Sequence, residues 1–271
     1  MVGILINTLL TPRYRSVYGF STPVRVRLGP VKLNLVAGAD HLAALFKASK
    51  CMSTKSGVLL ALENIFGTPS NVIPHYAADD SGVNAIPAPG SQVKPEHRLN
   101  FFQVRAAHKH LASNGLMGMT ERFLGVLGRR ISDSEVGHEW TEMPDLYTFL
   151  QYEIFNAAVE ALCGKHLLTQ YPGFVDDFWE FDRSAPTLFK GLPRWLTPKP
   201  YKVRQRLLDA IKNWHRLARE HSDFGKIGPE DEEWDPYWGS KLMRARANYT
   251  TGMHFMNADA LASEDLGLIF A

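Results

Sequence analysis

The sequence has very little cysteine and no long hydrophobic run. Its two cysteines, Cys51 and Cys163, lie far apart in segments predicted to be a helix end and a buried helix. This spacing argues against a disulfide framework and favours a reducing compartment. The apolar run over residues 1–10 is far shorter than the roughly 20 residues that span a bilayer, and no signal-peptide pattern follows it. We therefore expect a short N-terminal segment lying on the fold, without a transmembrane helix.

Strong charge of one sign is also missing. The formal net charge is +2, and the basic residues are interspersed with acidic ones, so we expect no nucleic-acid partner. With 271 residues and 45% hydrophobic content, the chain can bury a substantial core. No composition change divides it convincingly. We expect one domain over residues 1–271, in which an N-terminal segment of residues 1–23 precedes the main body of residues 24–271.

Several common catalytic motifs are absent, namely a glycine-rich phosphate loop, a His-Glu-x-x-His metal helix and a Gly-x-Ser-x-Gly elbow. Asp176-Asp-Phe-Trp-Glu180 is similar to the Mg²⁺ motif of class I terpene synthases, but no second metal motif follows residue 200. We interpret this acidic segment as the solvated face of a helix. His108 and His110 are two residues apart and point to different helix faces. We predict no metal site.

Three segments with helical periodicity occupy residues 143–220. The first runs from Pro144 to Gly164, with Asp145 in its first turn and Gly164 as its C-terminal cap. Its predicted core face consists of Leu146, Phe149, Leu150, Ile154, Ala157, Ala158, Ala161 and Leu162. The second begins at Pro172 and turns Phe174, Val175, Phe178 and Phe181 inward, and the third runs from Tyr201 to Glu220. Prolines 186, 193, 198 and 200 predict an irregular loop between them.

The remaining segments predict a mainly α fold with a small β element. Alternating residues on both sides of Gly29-Pro30, over 24–36, predict two strands. Short helices are predicted near residues 40–50, 95–111 and 120–131, with a break at Asn114-Gly115, and residues 67–95 are predicted to form a long loop. A helix follows Ser240. Ser263-Glu-Asp265 predicts the start of an apolar helix, and we expect the chain to end inside that helix.

The order of these segments and the residues within them resemble the N-terminal half of cytochrome P-450 haem monooxygenases from filamentous fungi. The resemblance is carried by the hairpin at 24–36, the helix with Phe102 to Leu111, and five further stretches. These are Asp40-His-Leu-Ala-Ala-Leu-Phe46, Ala158-Val-Glu-Ala-Leu-Cys-Gly-Lys-His-Leu-Leu168, Asp177-Phe-Trp-Glu-Phe-Asp182, Gly191-Leu-Pro-Arg-Trp-Leu196 and Glu264-Asp-Leu-Gly-Leu-Ile269. It implies a truncated fold in which 50–95 is a substrate-side loop, 172–220 a lid, and 263–271 the opening of the long central helix.

The resemblance also implies where haem would be held. The family often carries an aromatic-x-x-x-basic pair whose cation binds a haem propionate, and Phe101-Phe-Gln-Val-Arg105 is similar to it, with His108 as a neighbouring alternative. A solvated basic helix face explains the same residues equally well. Neither cysteine lies in the family's thiolate loop, so we expect no catalytic residue in this chain and no stable haem binding by it alone.

As an expectation from the resemblance, the complete protein is a haem-thiolate monooxygenase of secondary metabolism, oxidising an apolar small molecule such as a terpenoid, steroid or alkaloid. Electrons would come from an NADPH-dependent reductase, on the cytoplasmic side and in association with the endoplasmic reticulum, while membrane attachment stays open. This chain alone would be inactive. Two alternatives are kept: a non-catalytic binding module from a shortened gene, and a Mg²⁺-dependent terpene cyclase.

Overall fold

The computed structural model describes residues 22–28, 31–48, 52–134, 136, 140–143 and 145–271. These residues belong to two compact units, residues 1–58 and 59–271, and each unit is described by itself. The predicted N-terminal segment, the Gly29-Pro30 turn and Cys51 lie outside the described residues. The prediction of a single domain also stays a prediction.

The first unit contains a β-hairpin followed by a helix. Strand β1 (Val24–Leu28) pairs antiparallel with β2 (Val31–Leu35), with Val24 opposite Leu35. Helix α1 (Ala39–Lys47) follows. The alternation of apolar and polar residues therefore predicted both strands correctly.

The second unit is almost entirely helical, which confirms the predicted mainly α fold with small sheets. Helix α2 (Lys55–Ala61) begins in the first unit and ends in the second. It is followed by a π-helical turn (Leu62–Phe66), α3 (Ile73–Ala78), a 3-10 turn (Pro95–His97), α4 (Leu99–His110), α5 (Ser113–Ser132) and α6 (Leu146–Cys163). The remaining elements are α7 (Lys165–Gln170), α8 (Phe174–Phe189), α9 (Pro198–His221), β3 (Trp234–Asp235) paired antiparallel with β4 (Gly239–Ser240), α10 (Lys241–Thr251) and α11 (Ala258–Phe270). No helix in this described part is long and apolar enough to cross a bilayer.

The main core lies among α6, α8, α9 and α11. Its largest fully buried side chains are Trp214, Trp238, Phe174 and Phe181. The indole N–H of Trp214 donates to the carbonyl of Tyr237 at 2.6 Å, so this buried ring keeps its polar group paired. Burial of each large apolar side chain contributes roughly 1.5–3 kcal/mol. These aromatic residues therefore fix how the helices around the candidate site pack.

Helix α6 has the predicted ends but a different buried face. The N–H of Thr148 donates to the Asp145 carboxylate at 3.1 Å, and Gly164 caps the other end with φ 81°. However, Leu146 is 58% exposed and Ile154 is 45% exposed, and Leu150 and Ala158 are exposed as well. The predicted core face is therefore wrong at these four residues. The buried residues are Phe155, Ala157, Val159, Ala161 and Cys163. Apolar residues occur on several sides of this helix, so spacing alone does not select one face.

The loop between α8 and α9 is shorter than its prolines predicted. Helix α8 continues through Pro186 to Phe189, and α9 begins at Pro198 rather than Tyr201. Pro198 and Pro200 occupy a first turn, where the N–H groups lack intrahelical partners in any case. Pro186 removes one hydrogen bond near the end of a helix whose apolar face is already buried. The predicted inward face of α8 is confirmed by the burial of Phe174, Val175, Phe178 and Phe181. Helix α9 buries Val203, Leu207, Leu208, Ile211, Trp214 and Ala218.

Two predictions between residues 67 and 131 are wrong. The chain does not break at Asn114-Gly115, because α5 begins at Ser113 and includes both residues. Gly115 suits this position because a Cβ there would lie 2.7 Å from the carbonyl oxygen of His110. The predicted loop over 67–95 contains α3, in which Tyr76 is 6% exposed. Six residues are too few for a helical period to be recognised.

Helix α11 begins earlier than predicted. Asn257 is its N-cap, and its side-chain oxygen accepts from the N–H of Ala260 at 2.9 Å, as this residue type commonly does. Ser263, Glu264 and Asp265 are therefore inside the helix, where all three are buried. The prediction that they start the helix is wrong, because their polar groups have tertiary partners instead of capping roles.

Candidate functional site

The middle of α11 carries a buried polar network. Asp265 is 2% exposed and Glu264 is 8% exposed. The hydroxyl oxygens of Ser263 and Thr68 lie 3.0 Å apart and form a hydrogen bond. Buried carboxylates require charged or hydrogen-bonding partners to be tolerated. The neighbouring helices supply them.

Arg246 on α10 is the cation of this network. Its Nε donates to Asp265 Oδ1 at 2.8 Å, and its Nη2 lies 3.3 Å from Glu264 Oε2. Burial opposes the charged guanidinium, but Tyr249 and the two carboxylates outweigh it and raise the pKa of Arg246 above its ordinary value. Arg246 therefore stays charged and joins α10 to α11.

Asp265 has a second partner on α9. His215 Nε2 lies 2.9 Å from Asp265 Oδ2, and both side chains are almost fully buried. Burial acts to raise the pKa of Asp265, whereas Arg246 and His215 lower it, and the result is a pKa below its ordinary value. The carboxylate is thus ionised at neutral pH and fixes α9, part of the lid implied by the resemblance, to α11.

Glu264 connects the network to α3 and α4. Its Oε1 accepts a hydrogen bond from the hydroxyl of Tyr76, and its Oε2 accepts from Gln103 Nε2 at 2.7 Å. Burial and then the Glu264 carboxylate raise the pKa of Tyr76 well above its ordinary value, so Tyr76 remains a donor. Since both oxygens of Glu264 are occupied, this residue positions helices and is not available as a free base.

A cleft of about 380 Å³ opens between α4 and α11 beside Glu264. Most of its wall is apolar, with polar groups only from the network. The lining residues are Leu62, Phe66, Gln103, Val104, Ala107, Leu111, Leu242, Arg246, Ser263, Glu264, Gly267 and Leu268. The cleft can hold a mainly apolar molecule and offers it a few hydrogen-bonding groups.

An aromatic cluster of Phe66, Phe178, Phe181 and Phe270 extends from this cleft. The ring centroids of Phe66 and Phe270 are 5.6 Å apart, as are those of Phe181 and Phe270. The ring of Phe178 lies 6.3 Å from that of Phe270. These edge-to-face and tilted arrangements are favourable for aromatic rings. Phe178 and Phe181 are buried in the main core, so the cluster connects the cleft wall at Phe66 to the packing of α8 and α11.

The residues predicted to hold haem lie on α4 but not in this cleft. Arg105 and His108 are both exposed, and the guanidinium carbon of Arg105 lies 5.6 Å from the Phe101 ring centroid. No carboxylate among the described residues forms an ion pair with either side chain. The Arg105 guanidinium can therefore pair with an added carboxylate, as a contact with a haem propionate requires.

Cys163 has the environment of a structural residue. It is fully buried in the main core, and burial raises the pKa of its thiol well above the ordinary value, with Asp265 adding to the effect. A cysteine binds a metal ion as the deprotonated thiolate. Cys163 therefore does not fit an axial haem ligand.

The acidic segment 176–180 is only partly the solvated face that was predicted. Asp176 is exposed and accepts from the Tyr152 hydroxyl at 2.6 Å. Asp177 instead is 8% exposed and accepts from Arg206 Nε at 2.7 Å, a partner on α9 that the sequence pattern did not identify. Glu180 forms an ion pair with Lys199. Each carboxylate has its own partner, and no group of three metal-ligating side chains occurs within the described ranges.

Sequence reasoning missed the network itself. Arg246, His215 and Tyr76 were not singled out, because their partners are distant in sequence. One signal was available: two adjacent carboxylates, Glu264 and Asp265, occur in the most apolar predicted helix, where buried charge needs a partner.

Comparison with curated proteins gives three fungal relatives. The chain is 34% identical over 258 residues to cytochrome P450 monooxygenase fsoE of Humicola fuscoatra, which is 94% of this chain and 42% of that protein. It is 29% identical over 274 residues to cytochrome P450 monooxygenase efuG of Hormonema carpetanum, and 30% identical over 235 residues to cytochrome P450 monooxygenase calL of Penicillium decumbens. These alignments cover 99% and 86% of this chain.

The chain spans less than half the length of these relatives, with 44% of the second and 43% of the third covered. No family profile matches it, and no solved structure does. The comparisons with the curated relatives, together with the helical fold, agree with the resemblance that the sequence segments carry.

Proposed function

We propose that this chain, as a member of the cytochrome P450 family, forms the N-terminal half of a fungal haem-dependent monooxygenase. The observation that carries the proposal is the similarity to three fungal cytochrome P450 monooxygenases along 86–99% of the chain. The substrate is proposed to be an apolar small molecule of secondary metabolism, of terpenoid, steroid or alkaloid type. The apolar cleft supports this substrate class, because its wall offers mainly hydrophobic contacts.

The residues of this chain fit the periphery of haem only. Arg105 would pair with a propionate, or His108 in its place, since each is an exposed member of α4 without a carboxylate partner in the described ranges. Haem iron held by a thiolate supplies the activation of dioxygen. That thiolate is proposed to come from residues outside these 271, because Cys163 is buried in the core.

Within this proposal, the network around α11 holds the lid and the substrate-side segment in place. His215 fixes α9, and Tyr76 fixes α3, both through α11 carboxylates. An NADPH-dependent reductase is the proposed electron donor, and the cytoplasmic side of the endoplasmic reticulum the proposed location. Both follow from the family alone.

A binding role without catalysis is the second candidate. It is favoured by the presence of the cleft in this chain, independent of any haem ligand. The two candidates differ in what the chain does by itself: a binding module takes up an apolar ligand alone, whereas half of a monooxygenase acts only when joined to the remaining part.

The test uses a protein in which this chain is continued by the remaining part of the Humicola fuscoatra relative. We expect haem to be incorporated, and Arg105→Ala to lower the haem content, because a propionate loses its charge-assisted partner. Lys109→Ala, on the same helix and also exposed, is the matched control and should retain haem. Equal haem content in the Arg105 and Lys109 variants would remove Arg105 from the site and direct the test to His108→Ala.

A further inference from the structure

We propose that the cavity at the N-terminus of α10 binds a small monatomic anion of the size of chloride. The cavity measures about 30 Å³, which exceeds the roughly 10–15 Å³ needed for one water-sized occupant. His110, Arg122, Glu233, Ser240, Lys241 and Leu242 are among the residues that line it. It shares only Leu242 with the cleft beside Glu264, and neither Arg105 nor His108 lines it.

Two hydrogen-bond donors at this cavity have no partner in the described part of the chain. Ser240 Oγ and Arg122 Nε are both buried and unpaired, and Ser240 is 7% exposed as a whole. A buried polar atom without a partner is costly and calls for an occupant of the site. Both residues line this cavity, so an acceptor inside it would offer each of them a partner.

The charges around the cavity favour an anion over a neutral occupant. Lys241 Nζ lies 2.6 Å from Glu233 Oε1, so these two charges balance each other. The guanidinium of Arg122 lies over the ring of Trp234, 3.3 Å from its centroid, and no carboxylate among the described residues pairs with it. The charge of Arg122 is therefore left without a counter-ion in the described part of the chain, and a water molecule would not neutralise it.

The backbone adds to the attraction. Ser240 is the N-cap of α10, a helix of 11 residues, yet its side chain makes no capping hydrogen bond. The N-terminus of a helix carries partial positive charge and N–H groups without intrahelical partners. An anion in the cavity would meet this charge together with the Ser240 hydroxyl and Arg122 Nε, which is the usual composition of an anion site at a helix N-terminus.

The test measures the thermal unfolding midpoint of the 271-residue chain at constant ionic strength. Sodium chloride replaces sodium methanesulfonate stepwise, since methanesulfonate is too large for the cavity. We expect the midpoint to rise by about 3–6 °C at saturating chloride, because the ion binds the folded state only. Ser240→Ala and Arg122→Gln should each abolish most of this rise.

The matched control is Thr250→Ala, on the same helix, buried, and hydrogen-bonded to the carbonyl of Arg246. It should lower the midpoint yet keep the full chloride response. A wild-type midpoint that does not respond to chloride, or an equal response in all variants, would overturn the proposal. If Ser240→Ala does not fold, Arg122→Gln decides, since Arg122 is only partly buried. Crystals grown with bromide give a second measurement: anomalous density beside Ser240 Oγ supports the site, and water alone refutes it.

Discussion

Replacement of Asp265 by asparagine tests whether the buried network stabilises the fold. The Asp265 carboxylate accepts two charge-assisted hydrogen bonds, one from Arg246 Nε at 2.8 Å and one from His215 Nε2 at 2.9 Å. The asparagine side chain keeps the shape but loses the charge, and its amide N–H₂ must face one of these donors. Each such bond contributes roughly 1.5–3 kcal/mol, and loss of one partner of a buried pair costs about 3–5 kcal/mol. We expect a loss of about 3–5 kcal/mol.

The assay is urea unfolding followed by tryptophan fluorescence, with thermal unfolding as a second measurement. The unfolding midpoint should fall by roughly 6–20 °C. Glu220→Gln is the control, because its ion pair with Arg216 is 3.3 Å long and both side chains are largely exposed. That variant should lose less than about 1 kcal/mol. A loss from Asp265→Asn as small as that from Glu220→Gln would refute the reasoning.

The pH dependence of this difference follows from the lowered pKa of Asp265. Arg246 and His215 outweigh the effect of burial and hold the folded-state pKa of Asp265 below its ordinary value. The ionised carboxylate therefore stabilises the fold above about pH 4, and this contribution is lost as the pH falls through the folded-state pKa. The stability gap between wild type and Asp265→Asn should narrow below that pH. A constant gap down to pH 2 would contradict the assignment of the lost energy to an ionised Asp265.

The remaining predictions concern the helix ends and turns. Gly239→Ala should destabilise the chain by more than about 2 kcal/mol, because Gly239 has φ 74° and a Cβ would lie 2.3 Å from the Leu162 carbonyl. Gly82→Ala, with the same φ and open space, should cost only about 1 kcal/mol, and equal losses would refute the steric argument. Asn257→Ala should destabilise the chain by about 1 kcal/mol, because the N-cap of α11 is lost. Urea unfolding measures the stability of all three variants. An Asn257→Ala variant as stable as the wild type would contradict the capping role.

The sequence predicted the fold well where local chemistry decides it. The hairpin strands follow from alternation, and both ends of α6 follow from Asp145 and Gly164. The errors arose where tertiary packing outweighs local preference. Pro186 lies inside α8, and Asn114-Gly115 lies inside α5, because the surrounding helix is held by its contacts.

The candidate site was less predictable for a related reason. Ser263, Glu264 and Asp265 have the composition of a helix start, so a local pattern assigned them to one. Their partners Arg246, His215 and Tyr76 belong to three other helices. No spacing of residues in the sequence predicts such contacts. The family resemblance agrees with the three fungal relatives and with the mainly helical fold, but it gave no information about the ion pairs between the helices.

The most direct test of the central claim is the absorption spectrum of the reduced carbonyl complex. The chain alone, its Cys163→Ala variant and the chain continued by the remaining part of the Humicola fuscoatra relative would each be expressed with haem available. We predict the long-wavelength band of a thiolate-bound haem for the continued protein, with or without Cys163→Ala, and no such band for the chain alone. A thiolate-type band from the 271-residue chain that disappears in Cys163→Ala would contradict the account.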